Sequence, residues 1–167
     1  VAVLSAINPI EQINRSRDTG SRSDAEQLIG AMDRYYATAG YYPWVSSAET
    51  TDFVVDWPGT PPNVEMTWMD DGSTPKAVLD KLSAAGTGEL KASFVNRITA
   101  TGYNGLTAYN AGASGDSTYV CFLPKSSAFK TEAGKRCDDG VPTDFPDGAC
   151  PPTCTESAPD TCFSCLP

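Results

Sequence analysis

The chain reads as an α+β fold in which a long N-terminal helix lies across a small antiparallel sheet. Three observations predict this. Apolar residues recur at helical spacing before Gly40, strand-like segments gather after residue 104, and all six cysteines fall in the last third. A length of 167 residues suits one domain with a sizeable core.

The first element is expected to be one helix over Val1–Gly40. In its second half Ala25, Leu28, Ile29, Met32, Tyr36 and Ala39 recur at i, i+3, i+4, i+7, i+11 and i+14. That is one stripe of a 3.6-residue period, so Ala25, Leu28, Ile29, Met32 and Tyr36 should dock on the sheet. Gly40 suits the position after a helix C-terminus, and Pro43 follows as a stop. The first half opens apolar over Val1–Ile7, then passes Pro9 and a polar collar, Arg15–Arg22. The opening run falls short of the roughly 20 residues that span a bilayer. It also lacks the basic start and small-residue cleavage site of a secretory signal. Either it is the first turn of a core helix, or it continues a longer apolar helix.

Tyr41, Tyr42, Pro43 and Trp44 form an aromatic exit that should bury area. Residues 45–74 are irregular, broken by Pro58, Gly59, Pro61 and Pro62, with β-rich pieces at 52–57 and 64–69. A short helix is predicted from Thr74-Pro75 to Leu82, ended by Gly86, because Thr before a first-turn proline marks a helix start. A second follows over 89–98, with Leu90, Phe94 and Ile98 at i, i+4 and i+8. Residues 105–110 read as a strand, 111–116 as turn material, and 117–123 as a strand apolar on both faces, hence central. Pro124 ends it. The resulting division is a helix at 1–40, a loop region at 41–103 and a sheet region at 104–136. An acidic cysteine-rich tail, 137–167, belongs to the same domain.

Charge is uneven. The net value is −9, yet residues 137–167 carry six acids and no base. That balance argues against broad affinity for nucleic acid. The even count of cysteines, Cys121, Cys137, Cys150, Cys154, Cys162 and Cys165, points to three disulfides and an oxidising, exported location. The rival is a zinc ribbon on Cys150-x3-Cys154 and Cys162-x2-Cys165, whose seven-residue gap is short for that motif. Cys162-Phe163-Ser164-Cys165 has redox-motif spacing but no following helix to lower a thiol pKa.

The chain contains no histidine, which removes the usual general base and the Ser-His and Cys-His nucleophile pairs. No phosphate-cradling glycine loop is present. Acid pairs such as Asp70-Asp71 and Asp138-Asp139 sit beside glycine in turns, where acids serve turn geometry. Asp138, Asp139, Asp144 and Asp147 lack the spacing of a 12-residue calcium loop. Lys125, Lys130, Lys135 and Arg136 are expected in a solvated loop. These readings predict no enzyme, no cofactor and no metal site.

The segment Ala6-Ile7-Asn8-Pro9-Ile10-Glu11-Gln12, with Arg17-Asp18, Ser23-Asp24-Ala25, Ala31-Met32-Asp33-Arg34-Tyr35-Tyr36 and Gly40-Tyr41-Tyr42-Pro43, resembles the N-terminal helix of type IV pilins and pseudopilins. The resemblance covers about a quarter of the chain. It implies a pilin-like fold whose missing upstream half of the helix sits in the inner membrane before assembly and in the filament core afterwards. It also implies that Pro9 softens the middle of that helix. Val3, Leu4, Ile7, Pro9, Ile10 and Ile13 would be the assembly residues. The implied partners are further copies of the chain, in a homopolymer or mixed pilus, and the pilus assembly machinery. The implied location is an extracellular pilus at the cell surface, serving motility, adhesion or DNA uptake. A pseudopilin of a type II secretion system is the close variant, and a secreted disulfide-rich binding module or adhesin is the reading from another class. The resemblance further implies a Cys121–Cys137 bridge. The other four cysteines, with three possible connectivities, would then staple a C-terminal appendage. The family's processing motif and early acidic residue do not occur in this sequence.

Overall fold

A computed structural model of the chain describes residues 8–44, 77–83, 86–111 and 115–167. Val3, Leu4 and Ile7, and the β-rich pieces expected at 52–57 and 64–69, lie outside the described residues. The architecture is α+β, with a long N-terminal helix, a three-stranded antiparallel sheet and three disulfides in the C-terminal region.

Helix α1 runs from Pro9 to Ala39. Asn8 is its N-cap in an extended conformation, and its side-chain oxygen accepts from the backbone N–H groups of Ile10 and Glu11. Pro9 therefore occupies the first helical position, where its missing N–H costs nothing. The expectation that Pro9 softens the middle of one helix from Val1 is corrected: here proline begins the helix. At the other end Gly40 takes φ 81° and donates its N–H to the Tyr36 carbonyl at 2.8 Å. That left-handed cap is what a glycine stop supplies.

Strands β1 (Thr107–Tyr109), β2 (Tyr119–Phe122) and β3 (Ser164–Leu166) pair in that order. The central strand is β2, and all four of its residues are buried. Its side chains alternate between two cores. Val120 and Phe122 join Leu28 and Met32 of α1, with Val78, Leu79 and Leu82 of α2 (Ala77–Leu82) and Phe94 and Ile98 of α3 (Ala92–Ile98). Tyr119 and Cys121 face the other way and pack with Phe145, Ala149, Phe163 and Cys165. Helix α1 covers one face of the sheet, and the cysteine-rich segment covers the other.

Two expectations change. Lys125 is an exposed loop residue as expected, but residues 127–136 are neither sheet nor loop: Ser127–Asp139 is helix α4, capped by the Ser126 hydroxyl accepting from the Phe129 N–H. Residues 137–167 are not an appendage either. They supply β3 and the whole second layer. Gly134 of α4 lies so close to this layer that a Cβ there would come within 2.6 Å of the Thr155 carbonyl oxygen.

Candidate functional site

The candidate site is the outer half of α1 and the groove it forms with the domain. The buried positions of α1 follow one heptad-like stripe: Asp18, Ser21, Ala25, Leu28, Met32 and Tyr35 are spaced 3, 4, 3, 4 and 3 apart. Carried back toward the N-terminus, the same spacing reaches Asn14 and Glu11. One face of the helix is therefore apolar from Ala25 onward and polar before it. A buried polar group must find a hydrogen-bond partner or lose stability, and Asp18, Asn14 and Glu11 each have one.

The Asp18 carboxylate accepts from the backbone N–H of Lys125 at 3.0 and 3.1 Å, and from the backbone N–H and hydroxyl of Ser126 at 2.7 and 2.6 Å. Glu11 accepts from the Ser127 N–H at 3.0 Å and its hydroxyl at 2.8 Å. Together they place two negative charges at the N-terminus of α4, where exposed N–H groups and the helix dipole favour anions. The Ser127 hydroxyl and N–H hold the Glu11 carboxyl below the ordinary carboxylate range. Asn14 donates to the Lys125 carbonyl at 3.4 Å. Arg22 reaches Glu132 at 2.7 Å, with its guanidinium 4.4 Å from the centre of the Phe129 ring. Asp24 accepts from Arg97 at 2.8 Å and from the Tyr103 hydroxyl at 2.6 Å. Burial and then the Asp24 bond push the Tyr103 hydroxyl well above the usual tyrosine range.

The residues named from the sequence divide accordingly. Ala25, Leu28 and Met32 are fully buried, and Ile29 packs at the edge of the same core. Tyr36 is corrected: it is 45 % exposed, its ring tilted against that of Tyr42 with centroids 4.5 Å apart, and Tyr35 takes the buried place instead. The heptad continuation from Ala25 through Leu28 and Met32 leads to Tyr35, and that spacing was the available signal. On the outer half, Ile10 is 68 % and Ile13 53 % exposed. With Arg17, Gly20 and Asp24 they share the i, i+3, i+7, i+10, i+14 flank beside the buried stripe.

The disulfides are Cys121–Cys165, Cys137–Cys150 and Cys154–Cys162. The implied Cys121–Cys137 bridge is corrected. Cys137 lies within helix α4, ten residues and so roughly 15 Å along the axis from its start at Ser127. Cys165, by contrast, sits directly opposite Cys121 in the β2–β3 register. The sulfurs of Cys137, Cys150 and Cys154 lie within 4.8 Å of one another. All three are oxidised in disulfides and so lack the thiolate a metal needs. The acids of the 138–147 segment are committed separately. Asp144 accepts from the Ser117 N–H at 2.8 Å and the Tyr119 hydroxyl at 3.1 Å, and Asp138 from the Glu156 N–H at 2.7 Å.

A groove of about 300 Å³ opens on the flank of α1, lined by Arg17, Gly20, Ser21 and Asp24 of that helix and by Arg97, Gly102, Tyr103, Asn104 and Lys125. Sequence reasoning missed it, because its walls come from three segments separated by tens of residues. Among the described residues no helix is long and apolar enough to cross a membrane. Comparison with known protein families, with curated proteins and with solved structures found no match to this chain.

Proposed function

We propose that the chain is the structural subunit of a type IV pilus-like surface filament that polymerises through its N-terminal helix. In this reading it is exported, anchored in the inner membrane before assembly, and displayed at the cell surface afterwards. The observation that carries it is the division of α1. Its second half is embedded in the domain, while Ile10 and Ile13 present large apolar side chains to solvent at its start. Exposed apolar groups on a helix end that the domain already holds by polar contacts are suited to packing against further copies. The Glu11, Asn14 and Asp18 contacts support the same reading, since they fix the direction of that end on the domain.

No observation favours the secretion pseudopilin over the pilus, because Asp138 and Asp144 already serve the fold. A separable acidic binding module fits less well, since the acidic segment carries β3 and a disulfide back to β2.

The test is made in the source cell with Ile10→Asp and Ile13→Asp introduced together. Both side chains are exposed, so the purified domain should keep its circular dichroism and melting temperature. Surface filaments counted by electron microscopy should be lost. Normal filament numbers, or a cell that makes no filaments containing this chain, would sink the proposal.

A further inference from the structure

The groove on the α1 flank is lined by more basic than acidic side chains, in a protein of net charge −9. Three cations line it, Arg17, Arg97 and Lys125, against one carboxylate, Asp24. That carboxylate is spent on Arg97 and the Tyr103 hydroxyl. The nearby Asp18 carboxylate is spent on the backbone of Lys125 and on Ser126. Among the described residues neither Arg17 nor the Lys125 ammonium has an ion-pair partner.

Arg97 is half-exposed and oriented by two contacts. One terminal nitrogen is held by Asp24, and the guanidinium lies 5.3 Å from the centre of the Phe94 ring. A guanidinium offers five N–H donors, so the nitrogens not used on Asp24 remain for another acceptor. The backbone of Lys125 is pinned by Asp18, which sets where its side chain begins. The groove thus holds one oriented guanidinium and two further cations.

Gly20 contributes to the groove independently of charge. It lies inside α1, where glycine weakens a helix relative to alanine. Its φ is not left-handed, and no described atom lies within 4 Å of where a Cβ would stand. Among the described residues, nothing in the packing requires glycine there. It is a lining residue of the groove, so its missing side chain leaves the groove deeper.

We propose that this groove binds an anionic group, a carboxylate or a phosphate ester, on a hydrophilic ligand about the size of one sugar. The volume sits at the lower end for small-molecule sites, too large for a bare anion to fill. Arg17, Arg97 and Lys125 take the charge, and Gly20 gives the ligand room against the helix backbone.

The test uses the oxidised full chain and three probes, galacturonate, glucose 6-phosphate and galactose, titrated while amide and arginine Nε–H NMR signals are followed. Saturable shifts at residues 17–24, 97, 102–104 and 125 are expected with at least one anionic sugar and not with galactose. The tighter anion identifies the group recognised. Arg17→Gln with Lys125→Gln should weaken binding at least tenfold without changing the fold. Gly20→Ala should raise the melting temperature and still weaken binding at least tenfold, a combination a purely structural glycine would not give. Affinity unchanged in either variant, galactose binding as tightly as galacturonate, or no saturable shift up to about 10 mM, overturns the proposal. It stands apart from the filament reading, since every measurement is made on the isolated chain.

Discussion

The two faces of the sheet solve the same burial problem by different means. On the α1 side, Val120 and Phe122 meet a broad set of leucines, valines and aromatics from three helices, with no covalent link. On the other side, Tyr119 and Cys121 meet a segment whose regular structure is two short 3-10 turns and β3. That segment contributes few large apolar side chains, chiefly Phe145 and Phe163. A layer with so little to bury cannot offset the entropy of ordering its chain. Three disulfides offset it by restricting the unfolded state. The difference teaches that the acidic, proline-rich end of the chain folds only because it is stapled, whereas the helical side folds by burial.

The sharpest way to break the comparison is to reduce all three disulfides with a thiol reagent. Their sequence separations are 44, 13 and 8 residues, and each bridge contributes about 2–4 kcal/mol. The expected outcome is the largest loss of stability of any lesion, with hydrogen-exchange protection disappearing first over 137–167. Equal protection on both faces after reduction would refute the division. Next in size is Phe122→Ala on the burial side, which should cost about 4 kcal/mol by denaturant titration. That loss should be insensitive to whether the disulfides are intact.

A third lesion probes the polar half of α1. Asp18→Ala leaves the N–H groups of Lys125 and Ser126 without their acceptor in a buried place, at about 2–3 kcal/mol. Asp18→Asn, which keeps an acceptor oxygen, should recover part of it. Gly134→Ala tests the contact between α4 and the stapled layer. A Cβ 2.6 Å from a carbonyl oxygen forces a backbone shift, at about 1–3 kcal/mol.

The smallest effects are those of pH. The Asp144 carboxyl is held low first by the Ser117 N–H, and Glu11 is lowered in the same way by Ser127. A depressed carboxyl contributes stability above its ordinary value, near pH 4, and loses it as pH falls through the folded value. Melting temperature should therefore decline below about pH 4, and less steeply in Asp144→Asn. Tyr103 is shifted upward, so its contribution is complete below about pH 10 and is lost as pH rises beyond that. Tyr103→Phe should flatten the alkaline decline.

Much of the local structure was legible because it depends on short-range pattern. The Ala25–Met32 stripe, the Gly40 stop, the helices ending at Leu82 and Ile98, and a central strand at 119–122 all follow from periodicity, glycine and doubly apolar runs. Helix α4 was also written locally, in Ser126 as cap and Phe129, Ala133 and Cys137 at i, i+4 and i+8, but lysines spread through it masked the stripe. The Asn8-Pro9 start was likewise present as a capping signature and was obscured by the apolar run before it.

By itself, then, the sequence determined that a helix with one apolar half would lie on a sheet in a disulfide-bonded, acidic domain, because burial and turn chemistry act over a few residues. Only the tertiary structure decided which cysteines pair, that the tail is the second layer of the sheet, and that Arg17, Arg97 and Lys125 share a groove. Those outcomes depend on where α4 and β3 lie: Cys121 meets Cys165 across 44 positions and Arg17 shares a groove with Lys125 across more than a hundred, and no local pattern encodes such meetings.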